Sequence, residues 1–163
     1  MDLSEAEHRL KFTLPLKHRQ AILDLTDPIH RACHFLTLSD SKPGNIYWTN
    51  EFLRSSKFGD PWPGFLIAFA SNGCGDYCAY DTRHNPPSII YIDPDSTVQE
   101  NLQASDKLCY ESFENWYESE VAPHTCQRCG SPDARFEASH DKKWLLRICP
   151  ACGFQERAIA VDT

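Results

Sequence analysis

The eight cysteines of this 163-residue chain fall into two classes. Cys33, Cys74, Cys78 and Cys109 are scattered. The other four form two pairs, Cys126-Gln-Arg-Cys129-Gly130 and Cys149-Pro-Ala-Cys152-Gly153, with 19 residues between the pairs. Two residues between cysteines let both thiolates turn toward one point. A glycine after each pair can take positive φ and turn backbone amides toward the sulfurs. Two such knuckles facing each other make a closed tetrahedral four-sulfur shell, and C-x2-C-x19-C-x2-C falls within zinc-site spacing. We therefore expect Cys126, Cys129, Cys149 and Cys152 to hold one structural Zn2+ ion. Four thiolates leave no open position, so this metal is expected to build structure and not to catalyse. His124 and His140 lie nearby and are expected to be solvated surface histidines.

Two other chemistries fit the same residues less well. Paired disulfides would suit an oxidising compartment. A four-sulfur site also accepts iron, and the Cys-Pro-x-Cys-Gly knuckle occurs in iron-binding rubredoxins. Their aromatic-rich segment after the first knuckle is missing here, where Gly130 runs into Ser131-Pro132-Asp133. Zinc is the favoured ion.

The elements around the pairs fit a zinc ribbon. Residues 135–139 read as a strand, His140-Asp141 as a turn and 143–148 as the return strand, with a third strand available in 154–161. So small a module cannot be stabilised by apolar burial alone. Metal binding supplies about 10–16 kcal/mol of apparent free energy at such sites. A proline at 123 closes the preceding helical stretch. This places the boundary near residue 122, with an α+β domain over 1–121 and the ribbon over 122–163.

In front of it, residues 5–11 read as a short helix or arm. Leu14-Pro15 opens a helix from Leu16 to about Leu25, with Leu16, Ile22, Leu23 and Leu25 as its buried stripe. Residues 29–38 are ambiguous between helix and strand, and 39–44 form a loop. Residues 45–48 read as a short strand, followed by a helix capped by Thr49 or Asn50 and running to about Lys57. After a Gly-Asp-Pro-Trp-Pro-Gly loop at 59–64, the apolar run 65–70 reads as a buried strand. Asn72-Gly73 is a hairpin signal, 76–81 the return strand and 88–93 a third. A polar loop leads to Ser112, which caps a final helix from Phe113 to about Glu120. Its Phe113, Trp116 and Tyr117 share one face and should pack on the sheet. Helices flanking an antiparallel sheet make an α+β fold.

Charge narrows the function classes. Residues 1–121 carry 10 Lys/Arg against 18 Asp/Glu, whereas 122–163 carry 6 against 5. An acidic body argues against binding a phosphate backbone; it is compatible with steering toward a basic protein partner and equally with solubility alone. No apolar run reaches the length of a membrane span, and Met1 to Glu5 lacks the features of a secretory signal, so a cytoplasmic protein is expected. No P-loop or dinucleotide fingerprint is present. Asp76, Asp81, Asp93 and Asp95 cluster near strand ends and could pair for acid–base chemistry, but such residues more often cap turns. Cys74 and Cys78 could join Cys33 in a second metal site, or Cys74 could act as a nucleophile with His34 or His84. Nothing in the sequence orients any of these sets, and we expect no enzyme.

The order of elements resembles the SUKH superfamily, which is related to fungal cell-wall-synthesis regulators. The resemblance rests on Leu14-Pro15 before an early helix and on the apolar strand and glycine turn from Phe65 to Tyr80, with Gly75-Asp76 at the strand opening. It rests also on Ile90-Tyr91-Ile92-Asp93 and on Ser112-Phe113-Glu114-Asn115-Trp116. It covers residues 14–120; the stretch 29–45 matches poorly, and the ribbon is not part of the basic domain. The resemblance implies an α+β fold and, as in many bacterial members, an immunity protein that neutralises a cognate toxin. It brings no catalytic residues with it. The expected contact surface for a basic toxin domain comprises Asp60 and Trp62 in one loop and Asp76 and Tyr77 in the glycine turn, since aromatic residues anchor interfaces. The alternative is a nucleic-acid-binding or regulatory role for the ribbon through Arg128, Arg135, Lys142, Lys143 and Arg147. Against it, Asp133, Glu137 and Asp141 are interspersed among them.

Overall fold

A computed structural model describes residues 2–24, 33–38, 44–55, 60–104, 109–140 and 143–160. The elements, in order, are α1 (Leu3–Leu10), α2 (Leu16–Asp24), β1 (His34–Phe35), α3 (Ile46–Arg54), β2 (Leu66–Ser71), β3 (Tyr77–Asp81), β4 (Ser88–Ile92), α4 (Val98–Ala104), β5 (Cys109–Tyr110), α5 (Phe113–Trp116), β6 (Arg135–Ala138), β7 (Trp144–Ile148) and β8 (Gln155–Ala160). A π-helical turn, Tyr117–Val121, and a 3-10 turn, Ala122–His124, connect α5 to the tail. The strands form two antiparallel sheets, β1-β2-β3-β4-β5 and β6-β7-β8. The expected α+β body with an antiparallel sheet and flanking helices is present.

Strands β2, β3 and β4 are buried almost throughout because helices cover the sheet. Phe69, Tyr80, Phe113 and Trp116 are each 0–1% exposed and form an aromatic centre. The Phe69 and Trp116 rings meet edge-on at 4.9 Å, and Phe113 packs 5.4 Å from Trp116. Tyr117 is only partly buried, lying 6.0 Å from Phe113 with the Lys17 ammonium 4.7 Å over its ring. The helix that carries this trio is α-helical only to Trp116 and continues as the π-helical turn.

Helix α2 corrects the sequence reading. Leu16 is 80% and Leu23 62% exposed, while the inward positions are His18 and Ile22, four residues apart. A helix shows its partner the i, i+4 face, and the leucines lie off that face. His18 is 0% exposed. Its Nδ1 is 2.8 Å from the Tyr80 hydroxyl, and its ring stacks on Phe113 at 4.5 Å.

Helix α3 corrects it again. Residues 45–48 are not a strand, because Asn45 is the N-cap and its side chain accepts from the Trp48 N–H at 3.1 Å. Thr49 and Asn50 lie inside the helix, which ends at Arg54; residues 56–59 fall outside the described residues. So do 25–32 and 39–43, leaving only β1 from the ambiguous stretch. The polar loop before Ser112 holds α4, whose Thr97 and Glu100 make a reciprocal capping box.

Asn50, released from capping, does something else. Its amide nitrogen donates to the Ala68 carbonyl and its carbonyl accepts the Ala68 N–H, both at 2.8 Å. The same nitrogen donates to Ile46 O at 2.8 Å. β2 shifts register between Ala68 and Ala70, and the side chain completes the backbone pairing there. Asn101 treats Asp93 in the same way, accepting its N–H at 3.0 Å and donating to its carbonyl at 2.8 Å. Asn50 is 1% exposed, so Asn50→Ala leaves two buried backbone groups without partners. At about 1–3 kcal/mol for each orphaned group, chemical denaturation should show a loss of about 3–4 kcal/mol. A loss below about 1 kcal/mol would mean the pairing contributes little.

Candidate metal centre and partner surface

The two cysteine knuckles are near copies of each other. In the first, the Gly130 N–H donates to Cys126 O at 2.8 Å and the Cys126 N–H to Ser131 O at 2.8 Å. In the second, the Gly153 N–H donates to Cys149 O and the Cys149 N–H to Phe154 O, both at 2.9 Å. Gly130 and Gly153 adopt φ of 71° and 67°, as the sequence reading required. Strands β6 and β7 form a hairpin that feeds the second knuckle, and β7 pairs onward with β8.

This folding brings all four Sγ atoms within 4.8 Å of one another. Cys126 to Cys152 and Cys129 to Cys149 are each 3.7 Å, and all four thiols are free. A tetrahedral shell with zinc–sulfur bonds of about 2.3 Å has edges of about 3.8 Å. The set fits one metal ion of zinc's size. The Ser131 amide at Cys129 and the Cys152 amide at Cys149 each favour a thiolate, but the neighbouring sulfurs push the Cys129 thiol up, whereas Cys149, despite burial, is lowered to about 7. Cys126 and Cys149 are buried with Ala134, and Phe154 packs against them as a small second core. His124 contributes no ligand atom; its ring meets Phe136 edge-on at 5.7 Å.

The tail's cations are partly compensated from within. The Arg147 guanidinium is 3.0 Å from Glu156 and lies over the Phe136 ring, and Arg135 is 3.8 Å from Asp133. Arg128 and Lys143 are exposed, and Lys142 lies outside the described residues.

In the body, the minor catalytic candidates come together only in part: Asp76 and Asp93 line one cleft, and Asp81 does not join them. Asp81 and Asp76 lie at opposite ends of β3. Asp81 is 3% exposed and bridged by Arg83 at 2.6 and 2.9 Å. Burial alone would raise its carboxyl, but the Arg83 donors and charge outweigh that and hold it below the usual range. Asp93 accepts from the Asp95 N–H as a turn cap. Cys33 and Cys78 are buried, and burial pushes both thiols up, Cys78 to about 12. Protonated thiols are poor ligands and poor nucleophiles. Cys74 is exposed in the β2–β3 loop, where the His34 ring lies against the neighbouring Gly73, whereas His84 sits beyond the far end of β3 beside Asp81. Among the described residues, the tail cysteines are the one group of three or more His, Cys, Asp or Glu placed to hold a metal.

The expected partner residues divide. Trp62 is 7% exposed: its ring packs edge-on against Tyr77 at 5.7 Å, and its backbone N–H donates to Leu53 O at 3.0 Å. It is a core residue that backs Tyr77, since two prolines and this hydrogen bond turn the indole inward. Asp60 is exposed, and Tyr77 is half-buried. Asp76 accepts from the Asn72 side chain at 2.5 Å, while the Asn72 carbonyl accepts from the Cys74 and Asp76 amides. Next to this loop lies a cleft of about 430 Å³ bounded by Asp76, Asp93 and Glu100, with Tyr91 and Ile92 in its lining.

The sequence signature of the SMI1 / KNR4 family (SUKH-1) matches residues 1–119. The chain belongs to this family. No curated protein matches it. A crystal structure of a protein from Pseudomonas syringae pv. tomato superposes with a TM-score of 0.49 at 17% identity, covering 72% of this chain and 76% of that one. Membership in SUKH-1 supports a binding role of the immunity or regulatory kind, and the metal-competent tail lies beyond the SUKH match. Among the described residues no helix is long and apolar enough to cross a membrane.

The sequence reading grouped Asp93 with Asp76 as strand-end carboxylates but missed Glu100 as their neighbour. The Thr97-to-Glu100 capping box was the available signal. It would have placed α4 beside the end of β4, where Asn101 fastens it.

Proposed function

We propose that this SUKH-1 chain is a non-catalytic cytoplasmic binding protein whose acidic body neutralises a basic toxin domain. Its tail, from about residue 122, would be a separate module stabilised by one zinc ion. The observation that carries the partner reading is the cleft beside the glycine turn. Three carboxylates surround an apolar floor, and among the described residues no lysine or arginine lines it. A lysine or arginine of a partner can bury its stem on such a floor and leave its charge among the acids. Tyr77, held from behind by Trp62, and exposed Asp60 extend the surface.

Co-expression with the toxin encoded beside this gene should restore growth. Asp76→Lys should weaken binding about tenfold or more and flatten its salt dependence, as reversal of an interface charge does. Failure to neutralise any neighbouring toxin candidate would defeat the proposal, as would a charge-reversed variant that binds unchanged.

For the tail we propose a structural role over nucleic-acid recognition, because Arg147 and Arg135 already face Glu156 and Asp133. Retardation of nucleic acid at low salt, lost steeply as salt rises, would reverse that preference.

A further inference from the structure

We propose that the body carries a second site of opposite charge, a pocket for a phosphate monoester with an apolar body. The pocket has a volume of about 550 Å³ and lies between the end of α1, α3 and the start of β2. Thr82, just past the end of β3, lines it, whereas Asp76, just before β3, lines the acidic cleft; the two sites are at opposite ends of the sheet. Its volume is in the range of small-molecule sites, about 300–1,000 Å³.

The charge of the lining is unexpected in this body. Only 10 Lys/Arg stand against 18 Asp/Glu in residues 1–121, yet Arg9, Lys11 and Arg54 converge here with Glu51 as the lone carboxylate among the described residues. The lining therefore carries a surplus of two positive charges, three cations less one carboxylate. A phosphate monoester carries about −1.5 to −2 at neutral pH. Beneath the cations lie Leu10 and Ile67, 4% and 1% exposed, with Phe12 beside them. A ligand with an apolar or aromatic body fits that floor better than a bare ion does.

None of the three cations is committed to a strong internal partner. Arg54 Nη1 is 3.7 Å from Glu51 and Nη2 is 3.4 Å from Leu66 O, both long, and Nε is buried without an acceptor. A guanidinium fork held in place in this way is suited to a bidentate oxyanion. Arg9 pairs with Glu5 at 2.7 Å in an exposed i, i+4 pair, which holds weakly, and its guanidinium lies 5.0 Å over the Tyr47 ring. No described carboxylate is within ion-pair distance of Lys11. Lys11 also occupies the left-handed cap of α1, with φ 54°. Glycine is the residue at home in that conformation; the Lys11 N–H closes the helix end on the Glu7 and His8 carbonyls, while its side chain lines the pocket.

The full-length, metal-bound chain should be titrated with phenyl phosphate, followed by calorimetry and amide NMR. Saturable one-to-one binding is expected, weaker at high salt, with shifts concentrated at Lys11, Phe12 and Thr82. Lys11→Gly should lower affinity about tenfold, a loss of about 1.4 kcal/mol, with a Tm equal to or above that of the parent. Arg54→Gln should lower it further. Inorganic phosphate, phenol and benzoate should each bind at least about tenfold more weakly, since each lacks the apolar body, the charge or the second negative charge. The proposal is overturned by absence of saturation, by Lys11→Gly binding like the parent, by shifts confined to the tail, or by any of the three comparison ligands matching phenyl phosphate.

Discussion

Replacing Cys149 with serine is expected to empty the tail's metal site and unfold β6, β7 and β8 while the SUKH body stays folded. Cys149 is 1% exposed, sits at the end of β7 and lies 3.7 Å from Cys129 in the sulfur cluster. Among the described residues, the tail's own apolar core is Cys126, Ala134 and Cys149 with Cys152 and Phe154 against them. That is far too little burial to stabilise three strands. The metal must contribute most of the stability, on the order of 10–16 kcal/mol for sites of this kind. Elemental analysis should find one zinc per parent chain and none in Cys149→Ser, and a red protein would assign iron instead. Hydrogen exchange should lose protection in all three tail strands and retain it in β2, β3 and β4. Chelation should reproduce this reversibly, and acid should too, because thiolates that take up protons release the ion. Full protection of β6–β8 in the metal-free chain would refute the assignment.

Acidification should destabilise the body well before its carboxylates titrate. His18 is fully buried among Phe69, Phe113 and Tyr80, and burial lowers its pKa to about 3. Among the described residues its hydrogen-bond partner is the Tyr80 hydroxyl; Glu7 is taken up by Arg19, and Lys17 pairs with Glu118. In the unfolded chain its pKa is about 6.5. Between those values the unfolded state binds a proton that the folded state refuses, so stability falls as pH falls. The loss begins near pH 6.5, proceeds at about 1.4 kcal/mol per unit and totals on the order of 5 kcal/mol near pH 3. Urea melts from pH 7.5 to 5.0, read through body amides so that metal loss does not intrude, should show about 2 kcal/mol lost by pH 5. His18→Phe should flatten that slope, even though the orphaned Tyr80 hydroxyl lowers its plateau. Parallel slopes in the two proteins would show that His18 is not the group responsible.

The parts legible in the sequence share a physical reason. Knuckle spacing, the apolar runs at 65–70 and 88–93 and the Ser112 cap are local signals whose meaning does not depend on distant partners. The parts misread depend on partners far away in sequence. Leu16 and Leu23 looked like a buried stripe, but a histidine held the inward position because Tyr80 and Phe113, more than 60 residues on, form its pocket. Asn50 looked like a cap because asparagine favours caps; its real role needs the register shift in β2, which no local pattern announces. Trp62 looked like an interface anchor because tryptophan often is one, and only the fold places Tyr77 against its ring. The capping box at Thr97 and Glu100 was legible and was passed over, because so short a helix carries little apolar periodicity.

The amide of Asn50 has a bearing on solubility. Beyond the two residues of β1, β2 would present an N–H and a carbonyl at Ala68 to any extended chain, the template from which intermolecular sheets grow. α3 occupies both groups with a side chain that has no further backbone to offer, so pairing stops there. A cell making the Asn50→Ala protein should therefore lose more of it to inclusion bodies than a stability change of equal size elsewhere in the core would cause.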